Sequence, residues 1–467
     1  MAGSLRRRTA VFAAMFGLLA AAAPLAVASP PPRLAHAMAW YHWHPAARTL
    51  AGSSSVVGST AVLGLESMRA LAPVRKRYGL RVVDAFPRLR AVEVRVTHSL
   101  ENGAVRDRRI RYLSALGARL RPTSMPTAPL LASVDPSTAL PYEWQFGAAH
   151  VDQALDLSPG SPSILVGDID TGAADVPDLA GKIAQRWTVS ANGTLAPEKR
   201  PYDEIGHGTM TASLLAGNGF GLVGFGGLSR LVVMHAWSLT PVATAAALIK
   251  LDSLGVRIVN MSFGGPSADS PIMLDAIHKA AADGMLLVAA AGNSTQPVAY
   301  PAAALQPPGG VQSYGLAVGA SDVHGNPAFF SNFGANLSLL APGVLDDGCS
   351  GVLVAVPPTP TALAGSCYSV WAGNGGAFYA YVAGTSFAAP EVAGTAALIW
   401  AARPQLTNYQ VADIIKQSAQ RTGGWTPSTG CGVLDAGAAL ELATGRSAAQ
   451  WASSDAGSAP CSATGQN

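Results

Sequence analysis

In the middle of the chain, short uninterrupted apolar runs alternate with stretches of helical character. We predict buried strands at residues 164–170, 231–237, 256–263, 285–291 and 316–320. Residues 242–254 and 271–282 predict helices, and Gly255 and Gly284 follow them at the position where helices commonly end. Continuous apolar strands that alternate with helices are typical of a parallel sheet that helices cover on both faces. We therefore expect an α/β fold in three layers with a mainly parallel central sheet.

Polar residues stand at the ends of three of these predicted strands. Asp170 ends the first, Asn260 and Ser262 lie near the end of the third, and Asn293 follows the fourth. In open parallel sheets, chemistry is found beyond the carboxyl ends of the strands. The sequence therefore predicts a functional site at this edge of the sheet.

Two further segments carry residue types that suit nucleophilic catalysis. EIGHGTM places His207 between glycines at a helix start, and GTSFAAPEVAG places Ser386 at the start of a helix that is apolar all round, as buried central helices are. A serine hydroxyl becomes nucleophilic when a histidine takes its proton, and a buried carboxylate fixes the tautomer of that histidine. Taken singly, Ser386 would be a helix cap and Asp170 a turn residue. Together, in the order Asp, His, Ser, they predict a catalytic triad.

Five short motifs follow one another in a fixed order. They are DTG at Asp170, HGT at His207, NMSFGG at Asn260, AAAGN ending at Asn293 and GTSFAAP around Ser386. In these motifs and their order the chain resembles the subtilisin-like serine proteases, the subtilases, from about residue 140 to 442. The resemblance implies a subtilisin-like fold and a serine endopeptidase that hydrolyses protein or peptide substrates through an acyl-enzyme on Ser386. It assigns the triad to Asp170, His207 and Ser386.

The resemblance also implies the residues that bind and polarise the substrate. Asn293 and the backbone N–H of Ser386 would donate hydrogen bonds to the oxyanion that forms during attack. Ser262, Phe263 and Gly264 would form an edge strand with which an extended peptide pairs. The alternatives are a turn residue for Asn293 and an ordinary core side chain for Phe263.

We expect no cofactor for the chemistry and assign no metal ligand. Asp178 and Asn218 match positions at which the family commonly holds a structural calcium ion, but two residues do not define a site that needs six or more oxygens.

Met210 stands where many subtilases carry a second histidine, and Glu391 stands where histidine is usual. These two changes predict an altered local pocket or pH response.

Residues 1–28 have the pattern of a secretory signal peptide. Arg6, Arg7 and Arg8 precede an apolar run, and Ala26-Val27-Ala28 supplies small residues for cleavage. The alternative is a membrane anchor, but the run ends at Pro24 and is shorter than the about 20 apolar residues that a span needs. We therefore expect a secreted protein, extracellular or in the cell envelope, with no membrane span after signal removal.

The charge of the chain is divided unevenly. Residues 31–135 carry 16 Lys and Arg against 6 Asp and Glu, a net charge of +10, whereas residues 136–467 carry 12 against 22, a net charge of −10. We interpret residues 29–135 as a basic pro-segment and 136–442 as the peptidase domain; the alternative is a small independent basic domain. The total of +3 does not suggest a nucleic-acid partner. A monomer is expected.

By the resemblance, the pro-segment is a small α+β unit that docks on the protease as an intramolecular inhibitor with its C-terminal end in the active site. The alternating run at residues 81–96 predicts a strand pair. Its apolar side chains are expected to supply most of the docking affinity: Val82, Val83, Phe86, Val92 and Val94. Residues 443–467 form a low-complexity C-terminal tail that we expect to be mobile.

In an exported protein, the cysteines are expected to form disulfides. Four cysteines allow three pairings, of which Cys349–Cys367 with Cys431–Cys461 is the most local. No CxxC spacing is present, so zinc ligation by these residues is not expected.

Single features of the sequence also fit three other function classes. Asp170-Thr171-Gly172 is also the aspartic-protease motif, but no second copy supplies the partner carboxylate. The glycine-rich loop from Gly219 has the letters of a dinucleotide fingerprint, but it follows a helix rather than a strand. A non-catalytic envelope or binding protein on a subtilase scaffold is the remaining alternative, and labelling of Ser386 by a fluorophosphonate would distinguish it from an enzyme.

Overall fold

In a computed structural model of the chain, the residues that the structure describes all lie within 46–467. The signal sequence, most of the tail and the predicted pair Cys349–Cys367 lie outside the described residues. The described residues are 60–87, 90–97, 99–100, 107–115, 121–122, 143–236, 238–265, 270–306, 313–345, 351–358, 370–372, 376–420, 424–445 and 461.

The basic segment folds around a four-stranded antiparallel sheet in the order β2-β3-β1-β4. Its elements in chain order are β1 Thr60–Leu65, α1 Leu71–Tyr78, β2 Val82–Phe86, β3 Ala91–Arg95 and β4 Ile110–Ala115. One face of this sheet packs on α1, whose Val74 and Tyr78 are buried. The α+β character and the strand pair expected at residues 81–96 are both present, as β2 and β3.

The apolar side chains of this strand pair do not lie as expected for residues that dock on the rest of the chain. Val92 and Val94 are buried in the segment's own core, and Val83 is 46% exposed. Ala91 of β3 instead belongs to a second core, which is otherwise formed by the rest of the chain. Because alternate residues of a strand point to opposite faces, β3 fills its own core with one face and contacts the body with the other.

The described part of the basic segment ends with β5 Arg121–Pro122, and the rest of the described chain consists of alternating strands and helices. The strands are β6 Leu165–Asp170, β7 Ile183–Val189, β8 Leu195–Pro197, β9 Arg230–Ala236, β10 Ile258–Met261, β11 Phe263–Gly264, β12 Leu286–Ala290, β13 Gly315–Ser321, β14 Leu339–Pro342, β15 Val352–Ala355, β16 Trp371–Ala372 and β17 Phe378–Val382. The helices are α2 Trp144–Ala148, α3 Val151–Leu157, α4 His207–Ala216, α5 Pro241–Ser253, α6 Pro271–Ala282, α7 Ala302–Leu305, α8 Thr385–Ala402, α9 Asn408–Ser418 and α10 Ala436–Gly445.

Within the described residues, the central sheet has eight strands in the order β14-β13-β12-β10-β6-β9-β7-β8. Every neighbouring pair is parallel except β7 with β8 at one edge. Helices α4, α5 and α6 connect successive strands of this sheet, as the alternation of the sequence predicts. The predicted parallel sheet is therefore confirmed.

Helices cover both faces of this sheet, which gives three layers. On β12, Val288 belongs to the core beneath α8, whereas Leu287 and Ala289 belong to the core beneath α5 and α6. Both faces are apolar, so the strands show continuous apolar runs rather than alternation. Helix α8 is buried from Thr385 to Trp400, as its all-round apolar character predicts.

The predicted strand at 256–263 differs in one respect that matters for the site. The structure divides it into β10 and β11, and Ser262 stands between them outside both strands. Only β10 belongs to the central sheet, while β11 pairs antiparallel with β5 of the basic segment. The apolar run continues through both because Met261 and Phe263 are each fully buried.

A disulfide joins Cys431 to Cys461, with the Cα atoms 5.4 Å apart, which confirms this predicted pair. Cys461 is buried against Ala419 and Trp425. The expected mobile tail is thus fixed to the body at this point, and α10 extends to Gly445, beyond the expected boundary. No helix of the described part of the chain is long and apolar enough to cross a membrane.

Candidate active site

Asp170 and His207 meet at the carboxyl edge of the sheet. Asp170 is the last residue of β6 and His207 the first residue of α4, and His207 Nδ1 lies 2.7 Å from Asp170 Oδ1. Both side chains are buried. Burial alone would lower the pKa of His207, but the charge and hydrogen bond of Asp170 outweigh it and raise this pKa. The pair therefore favours a positive imidazole, as a general base requires after it takes a proton.

A second buried carboxylate fixes the two loops that carry this pair. Asp203 accepts hydrogen bonds from the Thr171 hydroxyl at 2.8 Å and from the Thr209 backbone N–H and hydroxyl at 2.7 and 2.6 Å. It thereby caps the first turn of α4 and ties that turn to the residue after Asp170. Burial raises the pKa of Asp203.

The glycines of DTG and HGT let these loops approach each other. Gly172 has a φ of +112°, and a Cβ on it would lie 2.2 Å from the Tyr202 carbonyl oxygen. A Cβ on Gly208 would lie 2.1 Å from the Gly172 carbonyl oxygen. A side chain at either position would separate β6 from the start of α4, and with them Asp170 from His207.

Ser386 lies in the first turn of α8. Its Oγ donates to the Ser262 carbonyl oxygen at 3.0 Å. Pro390 has no N–H to donate to the Ser386 carbonyl four residues earlier, and the Ser262 hydroxyl donates to that carbonyl at 2.7 Å instead. The ring centroids of Phe387 and His207 are 5.4 Å apart, so the starts of α8 and α4 adjoin.

The third member of the expected triad is near the other two but not hydrogen-bonded to them. In the described part of the chain, His207 Nε2 has no hydrogen-bond partner. The structure thus joins Asp170 to His207 and directs the Ser386 hydroxyl to Ser262. Ser–His hydrogen bonds of this kind are often unformed without substrate.

Asp168 and Asn260 form a buried polar network beneath the site. Asn260 Nδ2 donates to Asp168 Oδ1 and to Ser262 Oγ, each at 2.9 Å, and Thr211 Oγ1 donates to Asp168 Oδ2 at 3.0 Å. Burial and the neighbouring Asp170 charge raise the pKa of Asp168. Through Ser262, this network supports the carbonyl of Ser386 and so orients the start of α8.

Asn293 is oriented by Thr385, the residue before Ser386. Asn293 Oδ1 accepts from the Thr385 backbone N–H at 2.9 Å and from its hydroxyl at 2.8 Å. Its Nδ2 lies on the side of Gly384, where a Cβ would come within 3.2 Å of it. Oδ1 of Asn293 is thus occupied by Thr385, and Nδ2 lies beside Gly384, two residues before Ser386.

Of the three residues expected to bind substrate, Phe263 and Gly264 form β11, and Ser262 lies just before it. Phe263 is fully buried, so its side chain belongs to the core and its backbone forms the edge. Antiparallel partners on this edge come from the basic segment: Phe263 pairs with Pro122, and Gly264 pairs with Arg121. Phe263 can thus be an ordinary core side chain while its backbone takes part in an edge strand.

Three residues of the site went unrecognised in the sequence. They are Asp168, Asp203 and Thr385. Asp168 and Asp170 are alternate residues of one apolar run, and Asp203 precedes His207 by four residues; acidic residues in such places were a usable signal. Thr385 carried no signal of its own, because its contact with Asn293 joins positions 92 residues apart.

The oxygens expected to serve calcium are already used by the protein. Asp178 accepts from the backbone N–H groups of Gly221 and Leu222 at 2.8 and 3.0 Å and from the Tyr379 hydroxyl at 3.0 Å. Asn218 Oδ1 accepts from the Phe220 N–H at 2.9 Å. Among the described residues, no group of three His, Cys, Asp or Glu side chains could hold a metal ion. These side chains do not fit a calcium ion in this arrangement.

The two departures from the family pattern are both buried. Met210 is fully buried on α4 and packs with Leu214 and Phe387. Glu391 is fully buried on α8, and neither of its carboxylate oxygens has a hydrogen-bond partner in the described part of the chain. Burial raises the pKa of Glu391 well above its ordinary value.

A three-layer fold with a histidine–carboxylate pair and a serine at adjoining helix starts defines a serine hydrolase of the subtilisin-like class. Residues 161–433 match the sequence model of the Subtilase family. Because this match spans more than half of the chain, the chain belongs to the Subtilase family, as its motifs predict. This family and the named proteases below support its assignment as a serine endopeptidase.

Individual relatives agree with this assignment. Alkaline elastase YaB of Bacillus sp. (strain YaB) is 33% identical over 286 residues, which cover 59% of this chain and 64% of the elastase. Subtilisin Savinase of Lederbergia lenta is 29% identical over 304 residues, covering 63% of this chain and 97% of that protein. The chain thus matches somewhat less than two thirds of the elastase and nearly all of Savinase.

Two solved structures share the fold. Fervidolysin from Fervidobacterium pennivorans, described as a keratinolytic enzyme related to subtilisin, superposes with a TM-score of 0.66 at 23% identity and covers 84% of this chain and 63% of its own. The epidermin leader peptide processing serine protease of Staphylococcus aureus gives a TM-score of 0.62 at 19% identity, over 84% of this chain and 99% of that one. At these identities the likeness concerns the fold alone.

Proposed function

We propose that the chain is a secreted serine endopeptidase in which Ser386 is the nucleophile, His207 the general base and Asp170 its partner. The observation that carries this proposal is the 2.7 Å contact between His207 Nδ1 and Asp170 Oδ1. That contact leaves His207 Nε2 as the nitrogen that accepts the Ser386 proton. Residues 1–28 would direct export, and protein or peptide substrates would be cleaved outside the cytoplasm.

In the proposed reaction, the Ser386 hydroxyl turns from the Ser262 carbonyl to His207 Nε2, which takes its proton during attack. The oxygen of the substrate carbonyl becomes an oxyanion, which the Asn293 amide and the Ser386 backbone N–H stabilise at the positive end of α8. His207 then gives its proton to the leaving amine. Water, activated by the same histidine, hydrolyses the acyl-enzyme. No step uses a metal ion.

The basic segment is proposed to be the inhibitor of its own protease before maturation. This proposal is supported by the position of β5, whose Arg121 and Pro122 pair with the edge strand β11. An extended substrate peptide would use the same edge by β-augmentation. While β5 occupies it, other peptides are excluded.

A fluorophosphonate probe tests the catalytic proposal. The mature wild-type protein should be labelled at Ser386 and should cleave a peptide substrate, whereas Ser386→Ala should do neither. Ser294→Ala is the matched control, because Ser294 lies beside Asn293 and is exposed. A folded wild-type protein that resists the probe would instead be a non-catalytic binding protein on the same scaffold.

A further inference from the structure

A buried amide in the connection between β13 and β14 contacts the loop that carries Asn293. This residue, Asn332, is 4% exposed. Within the described residues its side chain makes four hydrogen bonds, all to backbone groups of residues 291–297. Oδ1 accepts from the N–H groups of Ser294 and Gln296 at 2.9 and 3.0 Å, and Nδ2 donates to the carbonyl oxygens of Ala291 and Pro297 at 3.0 and 3.1 Å. A side-chain amide can donate two hydrogen bonds and accept two, so this loop uses the whole capacity of Asn332.

The glycine of the AAAGN motif leaves the space that this amide occupies. Gly292 has a φ of +107°, and a Cβ on it would lie 2.3 Å from Asn332 Nδ2. The backbone N–H of Asn332 also donates to the Gly292 carbonyl oxygen at 2.9 Å. Asn332 therefore contacts the residues on both sides of Asn293, namely Gly292 through its backbone and Ser294 through its side chain.

Asn332 is in turn attached to the central sheet. Ser331 Oγ accepts from the Ala320 backbone N–H at 3.1 Å and donates to the Asn332 carbonyl oxygen at 3.2 Å. Ala320 belongs to β13, and β13 pairs with β12, the strand that precedes Asn293. The loop after β12 is thus connected through Asn332 to the end of the neighbouring strand.

The place of an oxyanion donor depends on both its side chain and its backbone. Thr385 orients the side chain of Asn293 by two hydrogen bonds to Oδ1, whereas Asn332 holds the backbone on either side of it. A donor is effective within about 2.7–3.1 Å of the oxyanion, and a displacement of about 1 Å can lower a rate by about 10². A residue that fixes this backbone therefore bears directly on turnover.

We propose that Asn332 is a positioning residue for the oxyanion donor Asn293. This proposal rests on the proposed function, in which the Asn293 amide stabilises the oxyanion. Asn332 places the loop before substrate binds, so that the amide does not have to be ordered during attack. Its effect on catalysis is transmitted through Asn293 and concerns the transition state rather than the bound substrate.

Steady-state kinetics of Asn332→Ala on a peptide substrate gives the first test. We expect kcat to fall by about 10- to 100-fold with KM nearly unchanged. Because Asn332 acts through Asn293, this loss should not exceed the loss of about 10²–10³ expected when the Asn293 amide itself is removed. An unchanged kcat, or a rise in KM without a fall in kcat, would overturn the proposal.

Asn336→Ala is the matched control. Asn336 lies in the same connection, and its Nδ2 donates to the carbonyl oxygens of Ala303 and Gln306 at 2.9 Å each, away from residues 291–297. Its replacement should lower the melting temperature and leave kcat unchanged. A fall in kcat as large as that of Asn332→Ala would show that any loosening of this connection lowers turnover, and the proposal would be wrong.

A double-mutant cycle separates positioning from a general structural role. In the Asn293→Ala background, Asn332→Ala should lower kcat by less than about 3-fold, because the donor that it positions is already absent. If the two losses multiply instead, Asn332 acts independently of Asn293 and is not its positioning residue. The fluorophosphonate still labels the wild type in that case, so the proposed function would stand. A wild-type protein that resists the probe would overturn both.

Asn332→Ser provides a second variant in case Asn332→Ala does not fold. The serine hydroxyl can accept one of the two N–H groups that Oδ1 serves, so the loss of kcat should be smaller and should again vanish in the Asn293→Ala background. Circular dichroism shows which variants are folded. If neither variant at Asn332 folds while Asn336→Ala does, Asn332 is needed for folding as a whole, and the proposal is wrong.

Discussion

At the scale of single residues, the orientation of Asn293 by Thr385 is the contact with the most direct consequence for rate. Asn293→Ala should lower turnover by about 10²–10³ while KM stays nearly unchanged, because an oxyanion donor acts on the transition state and not on the bound substrate. Steady-state kinetics on a peptide substrate measures both parameters. Thr385→Val keeps Asn293 but removes the hydroxyl that orients it, so its loss of turnover should be smaller. An equal rise in KM for Asn293→Ala would assign Asn293 to substrate binding instead.

Glu391 makes the stability of the protein depend on pH. Its folded-state pKa lies above the unfolded value because the carboxyl is buried without a hydrogen-bond partner in the described part of the chain. The stability it contributes is complete below the unfolded pKa and is lost as pH rises toward the folded pKa, by up to about 1.4 kcal/mol per pH unit.

Glu391→Gln cannot lose a proton and should therefore be free of this decline. We expect its melting temperature to exceed that of the wild type by a margin that grows as pH rises above about 5. Glu441→Gln, at an exposed position of α10, is the control and should show a constant difference. A pH-independent difference for Glu391→Gln would mean that the Glu391 carboxyl has the same proton affinity in the folded and unfolded chains.

At the scale of elements, Tyr379 on β17 holds the loop around Asp178. The Tyr379 hydroxyl and the backbone N–H groups of Gly221 and Leu222 donate hydrogen bonds to the Asp178 carboxylate, which is fully buried. Tyr379→Phe should destabilise the protein by about 1–3 kcal/mol, because one carboxylate oxygen then lacks a hydrogen bond. Tyr202→Phe, at an exposed hydroxyl, should change stability by less than about 0.5 kcal/mol.

The same contacts predict how the protein responds to a chelator. Since the Asp178 carboxylate is satisfied by protein donors, excess EDTA should leave the wild-type melting temperature unchanged, and added calcium should not raise it. A fall in melting temperature with EDTA that calcium reverses would show that these ligands rearrange around an ion, as the resemblance to calcium-binding subtilases allows. Thermal denaturation with and without each reagent decides between the two.

The sheet and the central helix could be predicted because elements that are buried on both faces have continuous apolar sequences. The strand-end position of Asp170 and the helix-start positions of His207 and Ser386 followed from the same pattern. The local sequence does not show that residues 256–263 form two strands rather than one. Met261 and Phe263 are both buried, so the apolar run continues although Ser262 separates β10 from β11. The local sequence also does not show that β11 pairs with β5, which lies about 140 residues earlier.

The hydrogen-bond partners of residues that act through others could not be predicted, although the positions of their acidic side chains were a signal. Asp203 and Asp168 satisfy hydroxyl and amide groups brought from separate loops, and such partners are known only when the loops are placed. The apolar alternation of β3 predicted a strand correctly, but it could not tell which face meets the segment's own core. The sequence therefore predicts docking contacts for Val92 and Val94, whereas Ala91, on the opposite face, is the residue that joins the body.

At the scale of the whole molecule, the two parts of the chain carry opposite charge. The basic segment, residues 31–135, has a net charge of +10, and residues 136–467 have −10. Opposite net charges raise the rate at which two bodies meet, and salt weakens this steering as the Debye length falls from about 30 Å at 10 mM to about 3 Å at 1 M. The four-stranded sheet and its core give the segment a surface of its own to dock.

We therefore predict that separately made segment 31–135 inhibits the mature body and associates markedly faster at low salt than at high salt. Arg75→Gln with Lys76→Gln removes two exposed charges from α1 and should slow association at 10 mM salt while leaving the rate at 1 M unchanged. Dissociation should change little in either case, because it depends on contacts such as Ala91 and the β5–β11 pair rather than on distant charge. Stopped-flow inhibition kinetics across this salt range measures both rates. An association rate that does not vary with salt would show that the arginines only keep the segment soluble.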